Sequence, residues 1–191
     1  MSVKYTAAIS DTDILIHFAK IGKLGILELL FTEIVVPYYI FDDELKIWAG
    51  NVYGIIRDYI LSKESVFVVK NRKEDSILNR LAKDVIEEKR KIIGPGESEC
   101  AGYAGALGVP IIISDNHTEF KYLDDEFILL NYSNILTLCV HHRYLTPKCA
   151  ESVFEEIKSI MDRPTSLSFD TVYNRSLRRF REKEWNEYLE L

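Results

Sequence analysis

Two hydrophobic periods alternate along the chain. Short runs that are apolar almost throughout lie at residues 3–10, 33–37 (EIVVP), 65–69 (SVFVV), 109–114 and 127–131 (FILLN). The first stops at Asp11-Thr12-Asp13 and the fourth at Asp115-Asn116. Runs of this length, rich in Ile and Val, are what a strand buried on both faces requires. Between them, apolar residues recur at helical spacing in 14–21, 22–31, 42–61, 74–91, 97–107, 133–142 and 147–162. The helix at 74–91 is charged, with Ile77, Leu78, Leu81, Val85 and Ile86 as its apolar stripe. Ala101, Gly102, Ala104, Gly105 and Ala106 leave one side of the 97–107 helix nearly without bulk, so another helix of the chain is expected to pack closely there. Strands alternating with helices predict an α/β fold: a mostly parallel sheet covered on both faces.

Composition sets the limits. A chain of 191 residues that is 47% hydrophobic can bury a core of its own. After Arg163-Pro164 the pattern changes, which divides the chain into a body at 1–163 and a C-terminal helical extension at 164–191. There Arg175, Arg178, Arg179, Arg181 and Lys183 interleave with Phe180, Trp185 and Tyr188, so the segment either docks its aromatics on the body or offers arginines to RNA. Three cysteines with no C-x-x-C spacing predict neither a disulfide framework nor a thiolate zinc site, and a reducing cytoplasm fits them. The N-terminus lacks a signal peptide's pattern, and no apolar stretch nears the roughly 20 residues of a membrane span. The net charge of −6 argues against a broad basic footprint for duplex nucleic acid and leaves room for a local basic groove. His141-His142 reads as a surface or interface pair, since no third ligand stands at zinc spacing. Cys100 reads as a buried filler. Tyr38, Tyr39 and Phe41 either pack in the core or stack on bases.

The acids carry the candidate chemistry. In open parallel sheets ligands sit beyond the carboxyl ends of the strands. Asp11 and Asp115 both follow apolar strands, Glu97 opens a helix after Gly94-Pro95-Gly96, and Glu44 follows EIVVP. Each has an ordinary alternative: Asp11 as a helix N-cap, Glu97 as a favourable charge at a helix start, Glu44 as a surface acid, Asp115 as a turn former. Acids placed four times where a strand hands over to a loop or helix point instead to convergence. Convergent carboxylates repel unless a cation joins them.

Together these residues carry a resemblance. Ser10-Asp11-Thr12 before an apolar helix and Ile21-Gly22-Lys23-Leu24, Val36-Pro37 with Glu44-Leu45, Gly96-Glu97-Ser98-Glu99 with alanines to Leu107-Gly108, and Ile-Ile-Ser-Asp resemble the PIN-domain nucleases over roughly residues 5–160. The resemblance implies a three-layer α/β/α domain whose acids bind Mg²⁺ or Mn²⁺ and cleave RNA or single-stranded nucleic acid, leaving 3′-hydroxyl and 5′-phosphate ends. Many such proteins are toxins paired with an antitoxin, and a homodimer is expected. Carried over by position, Asp11, Glu44, Glu97 and Asp115 are the catalytic acids. Asp11, Glu97 and Asp115 are the metal ligands, with Glu119 as a further one. Ser10, Ser114 and Asn116 lie beside the substrate. Asp43 competes with Glu44 for the second place, and Asp13 leaves open which N-terminal aspartate faces the metal. Glu99 lies about 200° round the helix from Glu97 and cannot share its metal. A rival resemblance, to haloacid-dehalogenase-type phosphatases, makes Asp11 the nucleophile, Asp13 the general acid and Asp124-Asp125 the last acidic pair. A third possibility is a non-catalytic PIN-like module that binds RNA or a protein.

Overall fold

The computed structural model describes residues 5–191, so residues 3 and 4 of the first predicted strand lie outside the described residues. Five strands, β1 (Ala8–Ser10), β2 (Ile34–Pro37), β3 (Phe67–Lys70), β4 (Ile111–Ile113) and β5 (Ile128–Leu130), form one sheet in the order β3-β2-β1-β4-β5. All its pairings are parallel. The helices are α1 (Thr12–Lys20), α2 (Leu27–Leu30), α3 (Leu45–Trp48), α4 (Tyr53–Ile60), α5 (Ser76–Lys89), α6 (Pro95–Leu107), α7 (His117–Phe120), α8 (Tyr132–His141), α9 (Pro147–Ile160) and α10 (Phe169–Glu182). The architecture is the three-layer α/β/α one. Helix α6 packs on β1, β2, β4 and α5, whereas α1 meets α4 and α9, and α8 meets α2, α9 and α10. β1, β4 and β5 are buried along their whole length, as their unbroken apolar runs require.

Two expectations change. The helix predicted for 42–61 is broken: the chain coils early, in a wide π turn at Tyr39–Glu44, continues as α3, and is interrupted by a 3₁₀ turn at Gly50–Val52 before α4. Gly50 takes φ +53° there, a left-handed conformation that stops a helix and suits glycine. The apolar stripe of α5 also differs. Leu78, Ala82 and Ile86 are buried, while Ile77 and Leu81 are 62% and 51% exposed. The buried row follows i, i+4 spacing against the bare face of α6, where a Cβ on Gly102 would overlap Ile86 and the backbone of Ala82. The close approach expected of the small-residue helix is therefore made by α5.

The tail docks its aromatics on the body, one of the two readings its composition allows, and most of the aromatics of residues 133–191 are covered. Phe154, Phe169 and Phe180 belong to the central core, Phe169 packs on Phe154 at 5.5 Å, and only Tyr188 stands largely open. Leu189 is buried as well, and its carbonyl accepts from Tyr5 Oη at 3.0 Å, joining the two ends of the described chain. His142, one of the histidine pair, bonds that same hydroxyl through Nε2 at 2.9 Å. Cys100 and Cys139 are buried and Cys149 is exposed, all as free thiols.

Candidate active site

Because β1 and β4 are neighbours, Asp11 and Asp115 leave the sheet from adjacent strand ends, and Asp11 N–H donates to Ile113 O at 3.0 Å. The chain runs from β1 to β2 on one side and returns as β4 on the other, so this gap is the switch point of the sheet. Asp11 occupies the N-cap position of α1 but its side chain makes no cap bond. Its Oδ2 instead accepts from Ser114 Oγ at 2.9 Å, and the residue is only 4% exposed. Burial, followed by the charges of Asp13 and Glu44, holds its pKa well above the usual carboxylate range.

The Gly94-Pro95-Gly96 turn is shaped to admit acids. Pro95 starts α6 and Gly94 is its cap. A Cβ on Gly96 would stand 2.5 Å from Glu44 Oε2, and one on Gly94 would stand 2.6 Å from Glu97 Oε2 and 3.4 Å from Glu119 Oε2. At both glycines a side chain would have to displace a glutamate carboxylate from its present position. Gly94 N–H donates to Glu119 Oε2 at 2.7 Å, and Gly96 N–H bonds Glu44. The free N–H groups and positive end of α6 thus face carboxylates. Thr12 Oγ1 fixes Glu44 Oε2 at 2.7 Å, and Asn116 Nδ2 donates to Glu97 Oε1. Burial, then the charges of Asp11 and Glu119, push Glu97 up to about 7. Glu44 is raised by burial first, and then by Glu119 and Asp43.

Asp13 and Asp115 form the other wall. Asp13 Oδ1 accepts from the N–H groups of Ile14 at 2.7 Å and Asp115 at 2.9 Å. Burial, then the charge of Asp115, pushes it up to about 7. Asp115 is not a turn former: Oδ1 accepts from Tyr132 N–H at 2.8 Å and Oδ2 from His17 Nδ1 at 2.6 Å, tying the end of β4 to α8 and α1.

The structure separates the neighbouring acids, although Asp11 and Asp13 both stay in the cluster. Glu44 joins the cluster, while the exposed Asp43 turns to another cavity. Glu99 is buried away from the cluster, gripped by Arg72 Nε and Nη2 at 3.0 Å each. Ser10 lies fully buried behind the acids, and Ser114 orients Asp11. Asp124 and Asp125, the last pair of the phosphatase reading, instead ion-pair with Lys183 at 3.0 and 3.2 Å. Two contributors were missed, Thr12 and His17. His17 stands four residues after Asp13 on one helix face, and that spacing was the available signal.

A PIN-domain family model matches residues 7–182. The chain belongs to the PIN-domain family. The match runs from just before β1 to the end of α10. No curated protein and no solved structure matches the chain. PIN domains are generally nucleases, which gives this one a hydrolase's chemistry at a coarse level, and they generally use divalent metal ions. The donor set suits such an ion: hard carboxylate oxygens, with Asp11, Glu44 and Glu97 raised together by burial and mutual repulsion. No ready-made group of three or more metal-holding side chains stands among the described residues. Asn116 and Thr12 currently hold the glutamates, so a hard cation would have to draw them from these bonds.

Proposed function

We propose that this PIN domain hydrolyses phosphodiester bonds of RNA or other single-stranded nucleic acid with Mg²⁺ or Mn²⁺. One observation carries the proposal: Asp11, relieved of capping, is buried among Asp13, Glu44 and Glu97, and no Lys or Arg among the described residues pairs with any of them. Repulsion of that kind favours a bound cation. Asp11 and Glu97 would hold the ion, with Glu44 and Glu119 beside them, whereas Asp115, expected from sequence as a ligand, has both oxygens engaged by Tyr132 N–H and His17. When bound, the ion supplies an acidified water and a Lewis acid for the phosphate. The chain's own residues do the positioning. Ser114 aims Asp11, Asn116 aims Glu97, Thr12 fixes Glu44, and the His17–Asp115 pair holds the end of β4 in place.

A narrower form of the proposal makes the protein the toxin of a toxin–antitoxin pair acting in the cytoplasm. Ile47, Trp48 and Ile55, each more than half exposed, offer apolar surface for an antitoxin or a second copy in a homodimer. The test is cleavage of a labelled single-stranded RNA with Mn²⁺. Asp11→Asn and Glu97→Gln should remain folded by circular dichroism and lose about 100-fold or more in rate. Parent-like rates in either variant, or in EDTA, would refute the proposal. Phosphate release from p-nitrophenyl phosphate would favour the phosphatase chemistry instead.

A further inference from the structure

The acid cluster is not the only feature at the carboxyl edge of the sheet. Where β3 and β2 end, a cavity of about 370 Å³ opens between the β3–α5 connection, the π turn, α6 and the end of α5. Its volume is within the range of small-ligand sites. Tyr38, Tyr39, Arg72, Lys73, Arg90 and Glu99 line it. Two pairs of acids close in sequence, Asp43 with Glu44 and Glu97 with Glu99, are divided between the neighbouring sites. Glu44 and Glu97 face the acids, whereas Asp43 and Glu99 line the cavity.

The charge there differs from the rest of the edge. Glu99 is buried and shared by two guanidinium groups, Arg72 at 3.0 Å and Arg90 Nη2 at 3.4 Å. Asn79 Oδ1 holds Arg72 Nη1 at 2.6 Å, so that guanidinium is fixed. Arg90, 44% exposed at its side chain, makes only the long contact with Glu99 and lies over the Tyr39 ring at 5.8 Å. With exposed Lys73, three basic side chains face two acidic ones in a protein whose net charge is −6. An anion with an apolar, ring-shaped neighbour suits this lining. Guanidinium groups match phosphate oxygens, and Tyr38, 37% exposed, presents a ring for stacking.

The order β3-β2-β1-β4 places this cavity two to three strands from the Asp11–Asp115 gap, about 10–15 Å at the usual strand spacing. We propose that the cavity binds a phosphate and base of the single strand being cleaved, on one side of the scissile bond, with Arg90 and Lys73 on the phosphate and Tyr38 against the base. The inference rests on the nuclease reading and adds to it the direction in which the substrate crosses the sheet edge.

The test is fluorescence anisotropy of a labelled single-stranded RNA on the full chain in EDTA, across a salt series, beside the Mn²⁺ cleavage assay. Lys73→Ala and Arg90→Ala should each lower the salt slope of binding by about 0.7. Tyr38→Ala should weaken binding by about 5- to 150-fold at fixed salt, and Tyr38→Phe should not. Lys148→Ala, at the exposed start of α9, serves as the control. Oligonucleotides shortened from one end of the cleaved bond should lose the effect of Arg90→Ala while those shortened from the other keep it. A parent that binds and cleaves RNA, with slopes unchanged in both basic variants, overturns this inference and leaves the nuclease reading standing. Competition by a free mononucleotide as tight as by the oligonucleotide overturns the strand assignment. A parent that neither binds nor cleaves any single strand, RNA or DNA, overturns both.

Discussion

Changing Asp13 to Asn removes one charge from the cluster and keeps its hydrogen bonds, because an Asn Oδ1 can still accept from the Ile14 and Asp115 N–H groups. Asp13 is pushed from 3.8 to about 7, mainly by burial. A folded-state pKa above the unfolded one means that the folded protein binds more protons between about pH 4 and pH 7. Stability therefore falls as pH rises through that window and is level on either side. At about 1.4 kcal/mol per pKa unit, the Asp13 shift sets a scale of roughly 4 kcal/mol. Glu97, raised to about 7 but partly open to water, adds a smaller, screened share. In EDTA, parent and Asp13→Asn should unfold in urea at matching midpoints near pH 4. They should diverge up to pH 7.5, where the variant is the more stable. Mn²⁺ should narrow the gap by stabilising the parent, by about 2.7 kcal/mol at a hundred times its dissociation constant, and should lose that effect as the pH drops and protons compete. Matching pH profiles for the two proteins, or a variant that is weaker at every pH, would refute the electrostatic account of the cluster.

Asp115→Asn acts in the opposite sense, since Asp115 holds Tyr132 N–H and His17 rather than adding to the repulsion alone. We expect a loss of about 1.5–3 kcal/mol at neutral pH in urea titrations, and an unchanged midpoint would show that the two bonds contribute nothing. Phe180→Ala, in the tail but fully buried, should cost about 3–5 kcal/mol in the single unfolding transition of the whole chain. A separate, low-temperature melting of the tail would contradict the shared core.

The legible parts of the fold were those in which one residue pattern has one physical meaning. Apolar runs that stop at Asp11 and Asp115 can hardly be other than buried strands entering a polar edge, and both aspartates were found there. Glu97 was likewise readable, because it follows the glycine of the family's pattern, and that glycine lies against the Glu44 carboxylate. The segment after β2 was less so. Its helix formers give no hint of a π turn, and a wide turn changes the angular step per residue, which is why sequence alone could not decide between Asp43 and Glu44. In α5, Ile77 and Leu81 obey the periodic rule as well as Leu78 does. Which row is buried depends on the smooth face of α6, a long-range partner that a local pattern does not contain. The tail left two readings open for the same reason, since its aromatics are apolar surface until α8 and α9 cover them, as they do here.

The central position of β1 bears on how the molecule comes into being. β1 pairs early in the chain with β2, but its other edge waits for β4. Ser114, which orients Asp11, lies 103 residues further along. Contacts of such long sequence separation form late and slowly, since the intervening loop must first be closed. A chain that has folded only as far as β3 or α5 has Asp11 without Ser114, Asp115, Glu97 or Glu119 around it. The complete acid cluster is thus a property of the closed sheet: a chain folded only through α5 has Asp11, Asp13 and Glu44 but lacks Glu97, Glu119 and the Ser114 that orients Asp11.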